Sequence, residues 1–369
     1  MIKKIAAMTV AFFAVAGIGY ALNMEISAEM KTGLIWDDGR PVEVGIHHND
    51  YAGPQLGRLR LEMHLWAANL GIRLRFQQQT WGEDETPQFH FAYAYGNFLN
   101  EQLRVSIGSL SNSPWRAGGP TIWQGLDHQV GIRTEIMPRM IPGLNFGFTL
   151  NYWDYMRYFT ARETLGGLLM ESVIGVAYSN RHFYGRFGWR LDSDADVDNE
   201  PQEGHSLMYR LEPLFISNFV PDLRMWINGW WRGIGPRYIG NDPLPVPDSQ
   251  TVRENWFYAI FTPGGLHAEL RLGAEFTGVD SHQLVVRPFL GYWIHPSVRV
   301  GTFISYQYNF GAEATVTNVP FRIMFFQPEV RFQFGPAYLA FVYRFEMEHN
   351  TERERLDRHW LNLRAVIAF

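Results

Sequence analysis

The chain has 369 residues, 46% hydrophobic and 15% aromatic, with a net charge of −5 and no cysteine. The missing cysteine excludes a disulfide framework and a thiolate metal site, and no nucleic-acid partner is expected. Mean hydropathy is only −0.18 although Phe, Tyr and Trp number 27, 17 and 13. That combination suits strands that are apolar on one side only.

In chain order, Lys3 and Lys4 are followed by an uncharged apolar stretch from Ile5 to Ile18, then by small residues Gly19 and Ala21. This is the three-part pattern of a secretory signal peptide. Residues 1–21 are therefore expected to be removed, leaving a mature chain from about Leu22. The apolar stretch is too short to span a bilayer as a helix. No later stretch approaches the 18 consecutive apolar residues of a membrane helix.

From there the chain repeats with a period of two, the period of a half-buried strand. Leu59, Leu61, Met63 and Leu65 alternate with Arg58, Arg60, Glu62 and His64. Leu70, Ile72, Leu74 and Phe76 alternate with Gly71, Arg73, Arg75 and Gln77. The pattern returns at 144–151 and again at 266–273. Strands are predicted at 24–35, 55–66, 70–80, 87–96, 102–110, 128–137, 143–153, 165–178, 181–192, 206–217, 222–232, 253–262, 264–277, 283–294, 297–310, 321–334, 336–348 and 357–369. Short links such as 67–69, 138–142, 179–180 and 218–221 alternate with long ones such as 36–54, 111–127, 193–205 and 233–252.

Arginine inside an exported, apolar-faced strand is tolerable only if its face meets water. The expectation is a single all-β domain over 22–369: an antiparallel transmembrane barrel of about 18 strands, with 16 as the alternative. Short turns would face the periplasm and long loops the outside. Alternation begins directly after the leader, so no plug domain is expected before the barrel. The last strand puts Leu361, Leu363, Ala365, Ile367 and Phe369 on one face, opposite Asn362 and Arg364. This resembles the C-terminal assembly signal of bacterial outer-membrane barrels of the porin-like class, although its usual glycine is missing. The resemblance implies outer-membrane lipid, small hydrophilic solutes and the barrel-assembly machinery as partners, and a homotrimer as its assembly.

Parity places Arg58, Arg60, Arg73, Arg75, Arg104, Arg133, Arg186, Arg190, Arg210, Arg224, Arg271, Arg287, Arg299, Arg331, Arg344 and Arg364 on the polar, inner face. Acids on that face are fewer, among them Glu62, Glu135, Glu171, Glu212, Glu269, Glu275, Glu329 and Glu346. Arginine rings favour anions; the competing reading is a set of cross-strand Arg–Glu ladders that stabilise a polar interior.

Trp226, Asn228, Trp230 and Arg232 share the polar face with Arg224 and could guide sugars, tryptophan stacking on the ring. An interfacial aromatic girdle is the plainer account. Asp192, Asp194, Asp196, Asp198 and Glu203 have calcium-loop spacing, but Val197 stands where such a loop needs glycine, so a solvated acidic loop is the leading reading. No other cofactor is expected.

Loop 111–127, with Trp115 and Arg116, is long enough to fold inward as a constriction. Its turn-rich composition equally suits an outward loop. The proline-rich 233–252 reads as a stiff surface feature. No phosphate loop and no Ser/His/acid set stands out, so no enzyme is expected. The leading expectation is an arginine-lined diffusion channel in the outer membrane, preferring anions or sugars. The alternative is a surface-binding or adhesion barrel acting through its loops, and a transporter of hydrophobic molecules ranks third.

Overall fold

The computed structural model describes residues 23–37, 43–45, 58–78, 88–110, 130–152, 170–193, 205–234, 237–239, 242–244, 252–277, 281–310, 322–349 and 355–368. Eighteen strands form the barrel: β1 (Asn23–Asp37), β2 (Arg58–Ala67), β3 (Leu70–Gln78), β4 (Gln88–Phe98), β5 (Leu103–Ser109) and β6 (Val130–Ile136). Next come β7 (Leu144–Tyr152), β8 (Met170–Ser179), β9 (Tyr184–Ser193), β10 (His205–Glu212), β11 (Leu223–Ile234) and β12 (Val252–Phe261). The last six are β13 (Leu266–Thr277), β14 (Ser281–His295), β15 (Val298–Phe310), β16 (Arg322–Phe334), β17 (Ala337–His349) and β18 (Arg355–Ala368). Each pairs antiparallel with the next, and β1 closes the ring on β18 from Glu29↔Ala368 to Asp37↔Trp360. The count is eighteen, not sixteen, and closure leaves no free sheet edge.

The expected strands are all present, most within a few residues of their predicted ends. One differs in kind. Alternation through Leu214 and Ile216 predicts a strand to 217, but β10 stops at Glu212 and Leu214–Asn218 is a 3-10 turn. Two causes act together. Pro213 has no N–H to give to a ladder, and the ladder itself ends where Tyr184, the first residue of β9, faces Glu212. The turn instead bonds its neighbour, Phe215 N–H donating to the His182 carbonyl over 2.9 Å. Within the expected loop 233–252, Arg237–Ile239 and Asp242–Leu244 form a two-stranded hairpin.

Parity fixes what each face meets. On β17, Leu339, Phe341 and Tyr343 alternate with Tyr338, Ala340, Val342, Arg344 and Glu346; Phe341 is 47% exposed whereas Ala340 is fully covered. The outward row continues around the ring with Ile107, Ile174, Ile227, Leu290, Phe326 and Leu361, all more than a third exposed. A contiguous apolar band of this extent is far larger than the few hundred Å² that water tolerates on a folded protein. It is a lipid-facing surface, the band expected of an outer-membrane barrel. No helix among the described residues is long and apolar enough to cross a membrane.

The turns at the opposite end from the long loops are tight. Between β6 and β7, Gly143 takes a φ of +86°, and a Cβ there would lie 1.8 Å from the Ser179 carbonyl oxygen. Ser179 in turn donates its N–H to the Gly143 carbonyl over 3.0 Å, tying the turn to β8. Gly143→Ala is expected to lower unfolding stability by about 1–3 kcal/mol, the cost of a side chain forced into strained backbone. Urea unfolding followed by tryptophan fluorescence checks this; an unchanged midpoint would show that the turn adjusts freely.

Candidate channel lining

The inner face is built by register. Counting inward positions along the ladders brings two basic side chains, from the carboxylate's own strand or from a neighbour, onto one carboxylate. Glu62 on β2 accepts from Arg73 over 2.7 Å and from Arg75 over 2.7 and 3.0 Å, both on β3. Glu212 on β10 accepts from Arg210 over 3.0 Å and also from Arg224 on β11. Glu269 on β13 lies 2.8 Å from His267 Nε2 and 2.9 Å from Arg271. Glu329 on β16 lies 2.5 Å from Arg299 of β15 and 3.4 Å from Arg331.

Arg299 also lies 3.3 Å from His267 Nδ1, so the last two clusters join into one network from Arg271 to Arg331. That reach spans β14, where Gly291 pairs with His267 on one side and Gly301 on the other. Gly301 pairs in turn with Glu329. A Cβ at either glycine would sit within 3 Å of the Phe289 ring. The glycines therefore let Phe289 lie flat against the sheet, where the Arg299 guanidinium covers it at 5.0 Å.

The remaining arginines of the inner face are held in other ways. Arg133 lies 3.4 Å from Glu135, and Arg344 bonds Glu346. Arg104 donates to Asn97 over 2.8 Å and Arg287 to Ser305 over 3.2 Å. Arg186 stands directly opposite Arg210, with the Tyr184 ring 5.9 and 5.8 Å from the two guanidiniums. Arg271 likewise stands opposite Arg287. Arg60 pairs in register with Glu29, and Arg364, only 4% exposed, with Ala340 and Gly33. Arg58 and Arg190 occupy inner-face register positions, but their side chains lie outside the described residues.

Arg73 and Arg75 reach Glu62, Arg224 reaches Glu212 and Arg299 reaches Glu329 across strands, whereas Arg210, His267, Arg271 and Arg331 pair with a carboxylate of their own strand. Glu62, Glu212, Glu269 and Glu329 each hold two basic partners.

Sequence reading missed an aromatic layer behind these charges. Trp226 stacks on Tyr258 with ring centres 4.8 Å apart and planes 7° apart, between the guanidiniums of Arg210, Arg224 and Arg271. Trp256 lies beside Arg287, Phe325 beneath Arg344 at 3.8 Å and Tyr338 beneath Arg331 at 4.1 Å. The signal was available: Trp256 and Tyr258 share strand parity with Glu254.

Of the four residues read as a sugar track, Trp226 has its ring engaged as above. Asn228 and Trp230 are covered, at 1% and 8% exposure, and the Arg232 side chain lies outside the described residues. Asp192 belongs to β9, in register with Glu171, rather than to a loop. Asp194, Asp196, Asp198, Glu203, Trp115, Arg116, Phe369 and the leader 1–21 lie outside the described residues.

No family model and no curated protein matches the sequence. Solved structures do match the fold. OccK11 (OpdR) of Pseudomonas aeruginosa is similar with a TM-score of 0.53 at 9% identity, over 94% of this chain and 96% of that one. OccK5 (OpdH) of the same organism gives 0.51 at 9% identity, over 94% and 98%. A loop-deleted form of OmpT, an outer membrane protein of Vibrio cholerae, gives 0.50 at 10% identity, over 95% and 100%. With the closed eighteen-strand ring and its outward apolar band, these likenesses establish the porin-like outer-membrane β-barrel fold.

Proposed function

We propose that the protein is a passive diffusion channel for small hydrophilic solutes, with a preference for anions. A ring of eighteen strands is wide enough to leave an aqueous interior. The observation that carries the preference is the pairing of two arginines with each of Glu62, Glu212 and Glu329. Each two-arginine cluster keeps one positive charge after pairing, in a confined space where fixed charge raises the local concentration of counter-ions. A sugar preference has less support, because Trp226 already stacks on Tyr258 and Trp230 is covered. No reaction is assigned to the protein. Residues 1–21 are read as a cleaved leader, assembly as proceeding through the barrel-assembly machinery, and the assembled state as a homotrimer. A calcium ion on the acidic stretch from Asp192 to Glu203 belongs to the same reading.

Liposome swelling tests it. Proteoliposomes should admit a small sugar acid faster than the neutral sugar of the same size. Equal rates would remove the anion preference, and no swelling would remove the channel. Deleting 193–205 or 233–252 should leave the rates unchanged, whereas under the adhesion reading it is partner binding that such a deletion abolishes.

A further inference from the structure

We propose, on the basis of the channel reading above, that His267 is a specificity-determining residue of the lining, whose protonation raises the anion preference as the pH falls. His267 is the second residue of β13, next to the short turn Pro263–Gly265. Its side chain is 23% exposed, so water reaches the ring.

The two ring nitrogens have different partners. Nε2 lies 2.8 Å from Glu269 Oε1, and Nδ1 lies 3.3 Å from a guanidinium nitrogen of Arg299. A guanidinium carries donors and no acceptor. Nδ1 therefore accepts from Arg299, and the ring proton sits on Nε2 and is given to Glu269. The contacts select the neutral imidazole, in one tautomer.

The surrounding strands make this arrangement. Gly291 of β14 pairs with His267 on one side and Gly301 on the other, so the ring reaches Arg299 over a strand with no side chain at that position. Phe289 of the same strand meets the ring edge-on, with centres 5.4 Å apart. The charged groups around His267 are Glu269 and Arg271 on its own strand and Arg299 on β15. Glu329 and Arg331 of β16 stand behind Arg299. At this level β12 brings Ile260 and Phe261, neither of which titrates. Arg224 of β11 follows beyond Ile260, paired with Glu212.

The charge of the cluster then depends on the ring. While His267 is neutral, Arg271 and Glu269 cancel, unlike the two-arginine clusters on Glu62, Glu212 and Glu329. A proton added at Nδ1 gives this cluster one positive charge as well. It also sets an N–H against the donor of Arg299, which is left to Glu329, its partner over 2.5 Å. Imidazole changes its charge between about pH 5 and pH 8, so acidification across that range adds positive charge to the wall. His64, also on the inner face, differs. Its Nε2 lies 2.8 Å from the Tyr95 hydroxyl and its Nδ1 3.9 Å from Glu25, and both of these partners accept from a protonated ring.

The test is the chloride-to-potassium permeability ratio in planar bilayers, measured between about pH 8 and about pH 5. The ratio is expected to rise on acidification by roughly twofold, the factor that one unit charge exerts on an ion passing about 8 Å away in water. His267→Gln, which keeps a donor for Glu269 and does not titrate, should lose the larger share of the rise, and so should His267→Asn. His64→Gln should lose the smaller share, and circular dichroism confirms that each variant is folded. No rise in the unaltered protein overturns the proposal, as does an undiminished rise in folded His267→Gln or a larger loss in His64→Gln. Heteronuclear NMR of the detergent-solubilised barrel with isotope-labelled histidine reads the ring without conduction. The signal missing from His267→Gln should show a proton on Nε2 and none on Nδ1 at the alkaline end, then a proton on both. A protonated Nδ1 at the alkaline end, or a ring still neutral at the acid end, also overturns the proposal. A bilayer that never conducts fails the channel reading and this proposal with it, whereas conduction without the rise fails this proposal alone.

Discussion

Replacing Arg73, Arg75, Arg210 and Arg224 together by glutamine is expected to reverse the ion preference of the channel. Arg73 and Arg75 share Glu62, and Arg210 and Arg224 share Glu212. Removing both bases of a cluster converts one net positive charge into one net negative charge, because the carboxylate stays. These four side chains are between 22% and 58% exposed, but Glu212, only 2% exposed, is left without its partners, so folding of the variant is checked first by circular dichroism. The change should be largest at low salt, where the screening length is about 30 Å at 0.01 M against about 3 Å at 1 M. The zero-current potential across a salt gradient reads it directly. An unaltered sign in a folded quadruple variant would place the selectivity elsewhere, the loops included.

A second large effect is expected on stability, from the opposite kind of cluster. Arg299 and Glu329 are both buried, and Arg331 sits close by. Glu329→Gln leaves two guanidiniums facing each other across the β15–β16 ladder, where Arg299 and Arg331 are direct register partners. Breaking a buried ion pair by removing one member costs about 3–5 kcal/mol. The lumen side of the cluster meets water, so the low end, about 3 kcal/mol, is expected. Glu62→Gln, with its partly exposed arginines, should cost well under half as much, as more solvated pairs do. Urea midpoints for the two variants make the comparison, and equal shifts would contradict the burial difference on which it rests. Glu329→Gln should at the same time strengthen the anion preference, since it adds a positive charge to the wall.

The sequence shows the strands so plainly because their two faces meet such different surroundings. Leu144, Phe146 and Phe148 face lipid while Asn145, Gly147 and Thr149 face the interior, and this demand repeats in every strand. Where the demand stops, the reading fails. Residues beyond Glu212 keep an alternating pattern but have no neighbouring strand, so Leu214–Asn218 turns. Parity assigned the arginines to one face, yet it could not say which carboxylate each would find. Partner choice depends on register: Arg299 faces Arg331 directly and reaches Glu329 only on the diagonal. The aromatic layer escaped for the same reason. Trp226 suggests a sugar platform until register puts Tyr258 opposite it and supplies the stacking partner from the protein itself.

The central claim is that an inner wall with two arginines to each of three carboxylates passes anions more readily than cations. The most direct measurement is the zero-current potential of the unaltered protein in a planar bilayer, under a gradient of potassium chloride at low ionic strength. The expected result is discrete conducting steps with a potential of the sign set by chloride. A potential of the sign set by potassium, or a bilayer that never conducts, would contradict the account.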